Sequence, residues 1–246
     1  MESLCINILN EIFDNLDLKN QIRILQINKY FNNNLQITDL YNIDSKIIFH
    51  ELNDDVINNY KHLKKLNINN NEYIKYLNYL TDLQVLSAAG YHNFDENELK
   101  NLNLIELNIS HNTRIKNIDF LTNLRKLDCS GTKITIDVEK FNLTELIANN
   151  TEHIKNIDNV TTLKILECCG SDSNISDNDL KNLDLITLRS LGNPNIKNIS
   201  HMTNLTELHC DYKSGITDDD IENLNLIELS ADNNPKIKNV SHYLYF

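Results

Sequence analysis

The sequence predicts an α/β fold: a solenoid of short coiled repeats with a parallel sheet on its concave face, preceded by a small helical segment. Three observations point there. An L-x-x-L motif returns at nearly constant spacing along most of the 246 residues. Apolar and polar residues alternate within each copy, as in a half-buried strand. The N-terminal residues instead place apolar side chains at helical spacing. A hydrophobic fraction of 41% is enough for a packed core and too high for a disordered chain.

The motif begins at Leu63, Leu83, Leu104, Leu124, Leu143, Leu163, Leu185, Leu205 and Leu226, with spacings of 20, 21, 20, 19, 20, 22, 20 and 21 residues. Pairs such as Leu66 and Ile68, or Leu107 and Ile109, alternate with polar neighbours, which predicts one short strand per copy. Copies this short return the strands parallel to one another, and stacked neighbours bury a core that no single copy can bury alone. This pattern resembles the leucine-rich repeat family, L-x-x-L-x-L-x-x-N, at the short end of its range.

A longer period of about 41 residues lies over the first. Odd copies, such as those from Leu104 and Leu185, carry I-K-N-I after the strand and resemble internalin-like repeats. Even copies, such as those from Leu163 and Leu205, carry a Cys in the strand and I-[ST]-D after it, and resemble the Cys-bearing repeats of F-box proteins. Cys129, Cys168 and Cys210 occupy the inward sixth position, on strands too far apart to bridge, whereas Cys169 points the other way. The ninth-position Asn that resembles the family's turn ladder is present at Asn71, Asn112, Asn193 and Asn234. It is replaced by Tyr91, Thr132, Thr151, Ser171 and Lys213, where irregular turns are expected. Lys75, Lys116, Lys155, Lys197 and Lys238 alternate with acids such as Asp95, Glu96, Asp177, Asp218 and Asp219, which places charges of opposite sign on neighbouring coils. Such exposed pairs are worth ~0–1 kcal/mol each.

Ile8, Leu9, Ile12, Phe13 and Leu16, then Ile22, Ile24, Leu25 and Ile27, predict two or three short amphipathic helices. The segment also resembles the F-box motif, L-P-x-E-I-L-x-x-I-F-x-x-L followed by V-x-K-x-W. Cys5 stands for its Pro, Asn7 for its Glu and Phe31 for its Trp, and Lys29 matches. The resemblance implies that Leu4, Ile8, Leu9, Ile12, Phe13, Leu16, Ile27 and Phe31 dock on the Skp-type adaptor of a cullin–RING ubiquitin ligase, although some of them must hold the helices together. Beside it stands a plainer reading, in which the helices only cap the open edge of the solenoid. The expected organisation is an F-box-like segment over 1–40, a degenerate first repeat or capping segment over 41–62 and about nine repeats over 63–246. Lys46-Ile47-Ile48-Phe49 is a candidate strand, and Asp54–Tyr60 echoes Asp218–Leu224 of an even copy. The aromatic end Tyr243-Leu244-Tyr245-Phe246 is expected to fold over the last coil or to pair with another chain.

The concave face offers positions three, five and seven of each copy. Ile147, Ile165, Cys169 and Leu191 interrupt a polar pattern there and are expected to form one exposed apolar patch. Glu145, Glu167, Glu207, Asp211, Glu228 and Asp232 surround it, and Arg189 and His209 complete the candidate partner-binding set. The expected partner is a protein bringing an apolar anchor flanked by Lys or Arg.

A net charge of −12 argues against nucleic acid or an anionic membrane as partner, since phosphate binding needs a basic footprint. No apolar run is long enough to span a bilayer, and the N-terminus carries Glu2 without a basic n-region, so a cytoplasmic protein is expected. The 5 Cys without a C-x-x-C fit a reducing compartment. No glycine-rich phosphate loop, metal-protease or nucleophile-elbow motif occurs, so no catalysis, cofactor or metal is expected. The 5 Gly and 2 Pro fall far below the roughly 17 and 12 of average usage. Gly90, Gly131, Gly170 and Gly192 share the eighth position, and Pro194 and Pro235 the tenth. The 42 Asn exceed the ladder's needs, and the Asn- and Ile-rich vocabulary resembles that of AT-rich genomes.

Overall fold

A computed structural model describes residues 9–27, 35–42 and 52–238. The chain forms two compact units, Met1–Leu104 and Ile105–Phe246. The candidate strand at Lys46–Phe49 and the aromatic end at 243–246 lie outside the described residues.

In the first unit, residues 9–14 are helical and α1 spans Leu18–Ile27. Phe13 is 1% exposed, and its carbonyl accepts a hydrogen bond from Gln21 Nε2 at 2.9 Å, which ties the two helical stretches together. Strands β1 (Asp39–Leu40), β2 (Lys65–Asn67) and β3 (Val85–Ser87) follow in one parallel arrangement. Leu40 lies opposite Leu66, and Leu66 opposite Leu86. A short helix α2 (Asp54–Ile57) lies between β1 and β2, its N-terminus capped by Asn53. Among the described residues the first strand is at 39–40. Its apolar anchors are the buried Ile37 and Leu40, which take the places of the L-x-x-L leucines.

In the second unit, β4 (Glu106–Asn108), β5 (Lys126–Asp128), β7 (Glu145–Ile147), β9 (Ile165–Glu167), β10 (Thr187–Arg189), β11 (Glu207–His209) and β12 (Glu228–Ser230) form consecutive parallel strands. A two-stranded ladder, β6 (Ile136–Asp137) with β8 (Ile154–Lys155), lies apart from that face. Helices α3 (Asp177–Leu180) and α4 (Asp218–Ile221) turn the even coils, each opened by a capping box, Ser176 with Asp179 and Thr217 with Asp220. Asp218–Ile221 matches α2, as the sequence echo implies.

From β2 onward the strands of the main face are three residues long, at positions three to five of each coil. The first and fourth leucines and the sixth residue point inward: Leu163, Leu166 and Cys168 are buried, as are Leu205, Leu208 and Cys210. A fully buried leucine contributes roughly 1.5–3 kcal/mol over an exposed one, and the contribution repeats in every coil. The carbonyl at position two accepts two backbone N–H groups from the next coil, as Lys164 O does from Ile186 and Thr187 at 2.9 and 3.1 Å.

The eighth residue of every coil from Leu63 onward has a positive φ: Asn70, Gly90, His111, Gly131, Asn150, Gly170, Gly192, Tyr212 and Asn233. Gly and Asn are the residues that adopt this conformation most readily, which accounts for the eighth-position glycines and part of the Asn excess.

The ninth-position ladder is more complete than expected. Asn193 Nδ2 donates to the carbonyls of Cys168 and Ile175, and Asn234 Nδ2 to those of Cys210 and Ile216. In three even coils the ninth residue is exposed and a polar residue one or two places later is buried instead. His92 replaces Tyr91, Ser173 replaces Ser171, and Ser214 replaces Lys213. Thr132 and Thr151 keep the ninth place and are buried.

The alternation of Lys and acid works through the backbone. Asp54 Oδ1 accepts the N–H groups of Lys75 and Tyr76, Asp177 Oδ1 those of Lys197 and Asn198, and Asp218 Oδ1 that of Lys238. The acid at the start of each short helix thus fastens the next odd coil.

Candidate functional site: the charged row on the strand face

Parallel register converts the repeat into rows. Glu207 lies opposite Thr187 and Glu228, His209 opposite Arg189 and Ser230, and Arg189 opposite Glu167. Positions three and five of successive strands therefore meet side chain to side chain, and an ionic row forms across β9 to β12. Arg189 Nη1 donates to Glu167 Oε1 and Nη2 to Glu207 Oε1, both at 2.5 Å. Burial works against the Arg189 charge, but hydrogen bonds and proximity to Glu167 and Glu207 outweigh it and hold its pKa above the ordinary value. Glu207 Oε2 accepts from Thr187 Oγ1 at 3.2 Å. His209 Nε2 stands 3.2 Å from Glu207 Oε1 and 3.2 Å from Glu228 Oε1. Further along the face, Lys126 Nζ lies 3.3 Å from Glu145.

The four apolar residues expected to form one exposed patch are all half-buried. Register separates two of them: Ile165 lies opposite Glu145 and Thr187, and Ile147 opposite Glu167. They are interleaved with the carboxylates, so charge rather than apolar area dominates the face. Cys169 and Leu191 are joined through their coils, where Gly170 N donates to Leu191 O at 2.8 Å. Burial raises the Cys169 pKa above its ordinary value.

Asp211 differs from the expectation that it rims a binding surface. It is 5% exposed, and its Oδ1 accepts from Ser230 Oγ at 2.7 Å and Asp232 N at 2.6 Å. Position seven points along the stack, so its carboxylate fastens the following coil. Asn149 does the same for Cys169 N at 2.7 Å.

Of the eight residues implied by the F-box resemblance, Leu4, Ile8 and Phe31 lie outside the described residues. Ile27 ends α1. Leu9 and Leu16 are half-buried, Phe13 is buried, and Ile12 is 55% exposed.

Sequence reasoning missed the convergence of Glu207, His209 and Glu228, whose three ligand atoms all lie within 4.8 Å of one another. The signal was present: Glu207 and Glu228 share position three of adjacent coils, and His209 follows two residues after Glu207 on the same face. An imidazole nitrogen and two carboxylate oxygens are a donor set suited to a divalent transition metal.

Residues 102–140 match the family model for leucine-rich repeats in two copies. The fold is a leucine-rich repeat solenoid. An internalin (inlF) from Listeria monocytogenes is similar, with a TM-score of 0.52 at 20% identity, over 81% of this chain and 65% of that one. The functional domain of InlJ from Listeria monocytogenes, which includes a cysteine ladder, gives a TM-score of 0.50 at 22% identity, over 84% of this chain and 51% of that one. The chain thus spans between half and two thirds of the length of these two structures. No curated protein matches it. Among the described residues, no helix is long and apolar enough to cross a membrane.

Proposed function

We propose that this chain is a non-catalytic protein-interaction scaffold that captures a partner protein on its strand-lined face. The observation that carries the reading is the ionic row itself. Glu145, Glu167, Glu207 and Glu228 occupy one face in fixed register, with Arg189 and His209 among them and half-buried Ile147, Ile165, Cys169 and Leu191 between. Strands hold these groups without the ordering cost that a loop would incur. The partner brings Lys or Arg flanking an apolar anchor, and the acidic face steers its approach. A photo-crosslinker placed at position 147 is expected to capture the partner, whereas one at the exposed Asn178 of α3 is not. Equal capture from both positions rejects the strand face as the binding surface.

At finer grain, we propose that the N-terminal helices dock the Skp-type adaptor of a ubiquitin ligase, so that the repeats present a substrate for ubiquitination. The exposure of Ile12, 55%, beside the buried Phe13 favours this reading, because a helix that served only as a cap would turn its isoleucine inward. A pull-down with a eukaryotic Skp-type adaptor tests it. Wild type is expected to bind and Ile12→Asp to lose binding with its fold intact. Failure of wild type to bind leaves the scaffold reading, with helices that only cap.

A further inference from the structure

We propose that Glu207, His209 and Glu228 form a binding site for a divalent transition metal ion, with Zn²⁺ as the best-matched probe. The backbone brings the three together: Glu207 and Glu228 face each other across β11 and β12, and His209 stands two residues beyond Glu207 on the same face. His209 Nε2 is shielded from solvent and makes no hydrogen bond of acceptable geometry, although a carboxylate oxygen stands 3.2 Å away on either side. A nitrogen so placed is poorly used by the protein alone, since shielded polar atoms normally find a partner. Ligands about 2.1 Å from a tetrahedral zinc lie about 3.4 Å from one another; the two separations from His209 Nε2 are 3.2 Å, and all three ligand atoms lie within 4.8 Å of one another.

Charge favours the same assignment. Glu167, Glu207 and Glu228 set three carboxylates against the single guanidinium of Arg189, so a divalent cation beside a neutral imidazole restores balance. Arg189 shares Glu207 Oε1 and is held on its other side by Glu167, so it keeps a carboxylate when the ion engages Glu207. Thr187 Oγ1 steadies the second Glu207 oxygen, as an outer-shell partner does in metal sites. The side chains of His209, Glu207 and Glu228 are 22%, 25% and 36% exposed, so an ion can enter, and coordination positions remain toward solvent. An imidazole with carboxylates selects transition ions over Mg²⁺ and Ca²⁺, which prefer all-oxygen shells.

The test is calorimetric titration of the full metal-free chain at neutral pH with Zn²⁺, with Mg²⁺ and Ca²⁺ as controls and Co²⁺ as a spectroscopic reporter. One equivalent of Zn²⁺ is expected to bind, and Mg²⁺ and Ca²⁺ to bind far more weakly. His209→Ala and Glu228→Gln are each expected to weaken Zn²⁺ by about 100-fold or more, beyond the 10–100-fold that loss of an outer-shell partner typically brings. Glu222→Gln, at an exposed acid of the helix end, is expected to keep full affinity. All three variants change surface-accessible side chains, and matching metal-free melting curves verify their folds. The Co²⁺ spectrum should lack thiolate charge-transfer absorption. Absence of stoichiometric Zn²⁺ binding by wild type, binding that survives His209→Ala and Glu228→Gln, or a thiolate band pointing to the cysteines would each overturn the proposal.

Discussion

Gly170 sits against the Asn150 side chain of the preceding coil so closely that a Cβ on the glycine would stand 1.8 Å from Asn150 Oδ1. Its φ of +101° is also poorly accessible to any residue with a Cβ. Gly192 has a φ of +66° but meets nothing within 4 Å. Gly192→Ala is therefore expected to cost about 1 kcal/mol, the penalty of the left-handed conformation alone. Gly170→Ala is expected to cost about 2–3 kcal/mol, because strain and displacement of Asn150 add to that penalty. Urea midpoints of the two variants check the order, and equal shifts would contradict it.

Asn193 is fully buried, its amide donating to two carbonyls and its Oδ1 accepting from Asn195 N at 2.9 Å. Asn193→Ala strands these backbone groups without partners and is expected to cost about 2–4 kcal/mol. Lys213→Asn, which writes the family consensus into the next even coil, is expected to change stability by less than about 0.5 kcal/mol. Ser214 already holds the buried place there. Thermal melts of the two variants decide whether the ladder follows burial or sequence position.

His92 is 4% exposed and its ring lies tilted against that of Phe94, with centroids 5.1 Å apart. Burial lowers its pKa from the ordinary 6.5, opposed but not cancelled by the carbonyls of Ala89, Asn71 and Ala88. A histidine whose folded pKa is depressed binds its proton more readily when unfolded. Its contribution is complete above about pH 6.5 and is lost as pH falls through that value toward the folded pKa. Wild type is expected to lose more melting temperature between pH 7.5 and pH 5.5 than His92→Gln does. Parallel curves for the two proteins would refute this origin.

Burial raises the pKa of Cys129 and Cys168 far above the thiol range and pushes Cys210 up to about 12. The thiolate is the reactive form, so a neutral aromatic disulfide reagent at pH 8 is expected to leave these three unmodified in the folded protein and to label them after denaturation. Mass mapping of the labelled peptides provides the check.

Phe13 and Ile12 are neighbours with opposite fates. Phe13→Ala removes a buried ring and is expected to cost about 3–5 kcal/mol in the first unit. Ile12→Ala, at a side chain 55% exposed, is expected to cost less than about 1 kcal/mol. Circular dichroism melts distinguish the two, and they identify Ile12 as the position at which adaptor binding is tested without loss of fold.

The architecture was legible in the sequence because burial recurs with the repeat. Leu163, Leu166 and Cys168 reveal their inward direction through spacing alone, and the same spacing recurs eight times. Eighth-position glycines were visible as turn residues, but the equal need for a positive φ at His111 and Tyr212 was not, since neither residue type announces it. The capping echo between Asp54 and Asp218 was legible as well. That these carboxylates accept backbone N–H groups of the following coil became visible only in three dimensions.

The sequence by itself determined the coil and which side chains turn inward, since these follow from a local period that every copy repeats. Tertiary structure alone decided which polar atoms meet. It moved the even-coil ladder to His92, Ser173 and Ser214, buried Asp211, placed Arg189 between Glu167 and Glu207, and aimed His209 between Glu207 and Glu228. The physical reason is distance along the chain. Glu167 and Glu207 lie about one coil from Arg189, and Glu228 about one coil from His209, so strand register and side-chain direction, rather than neighbouring residues, select these contacts.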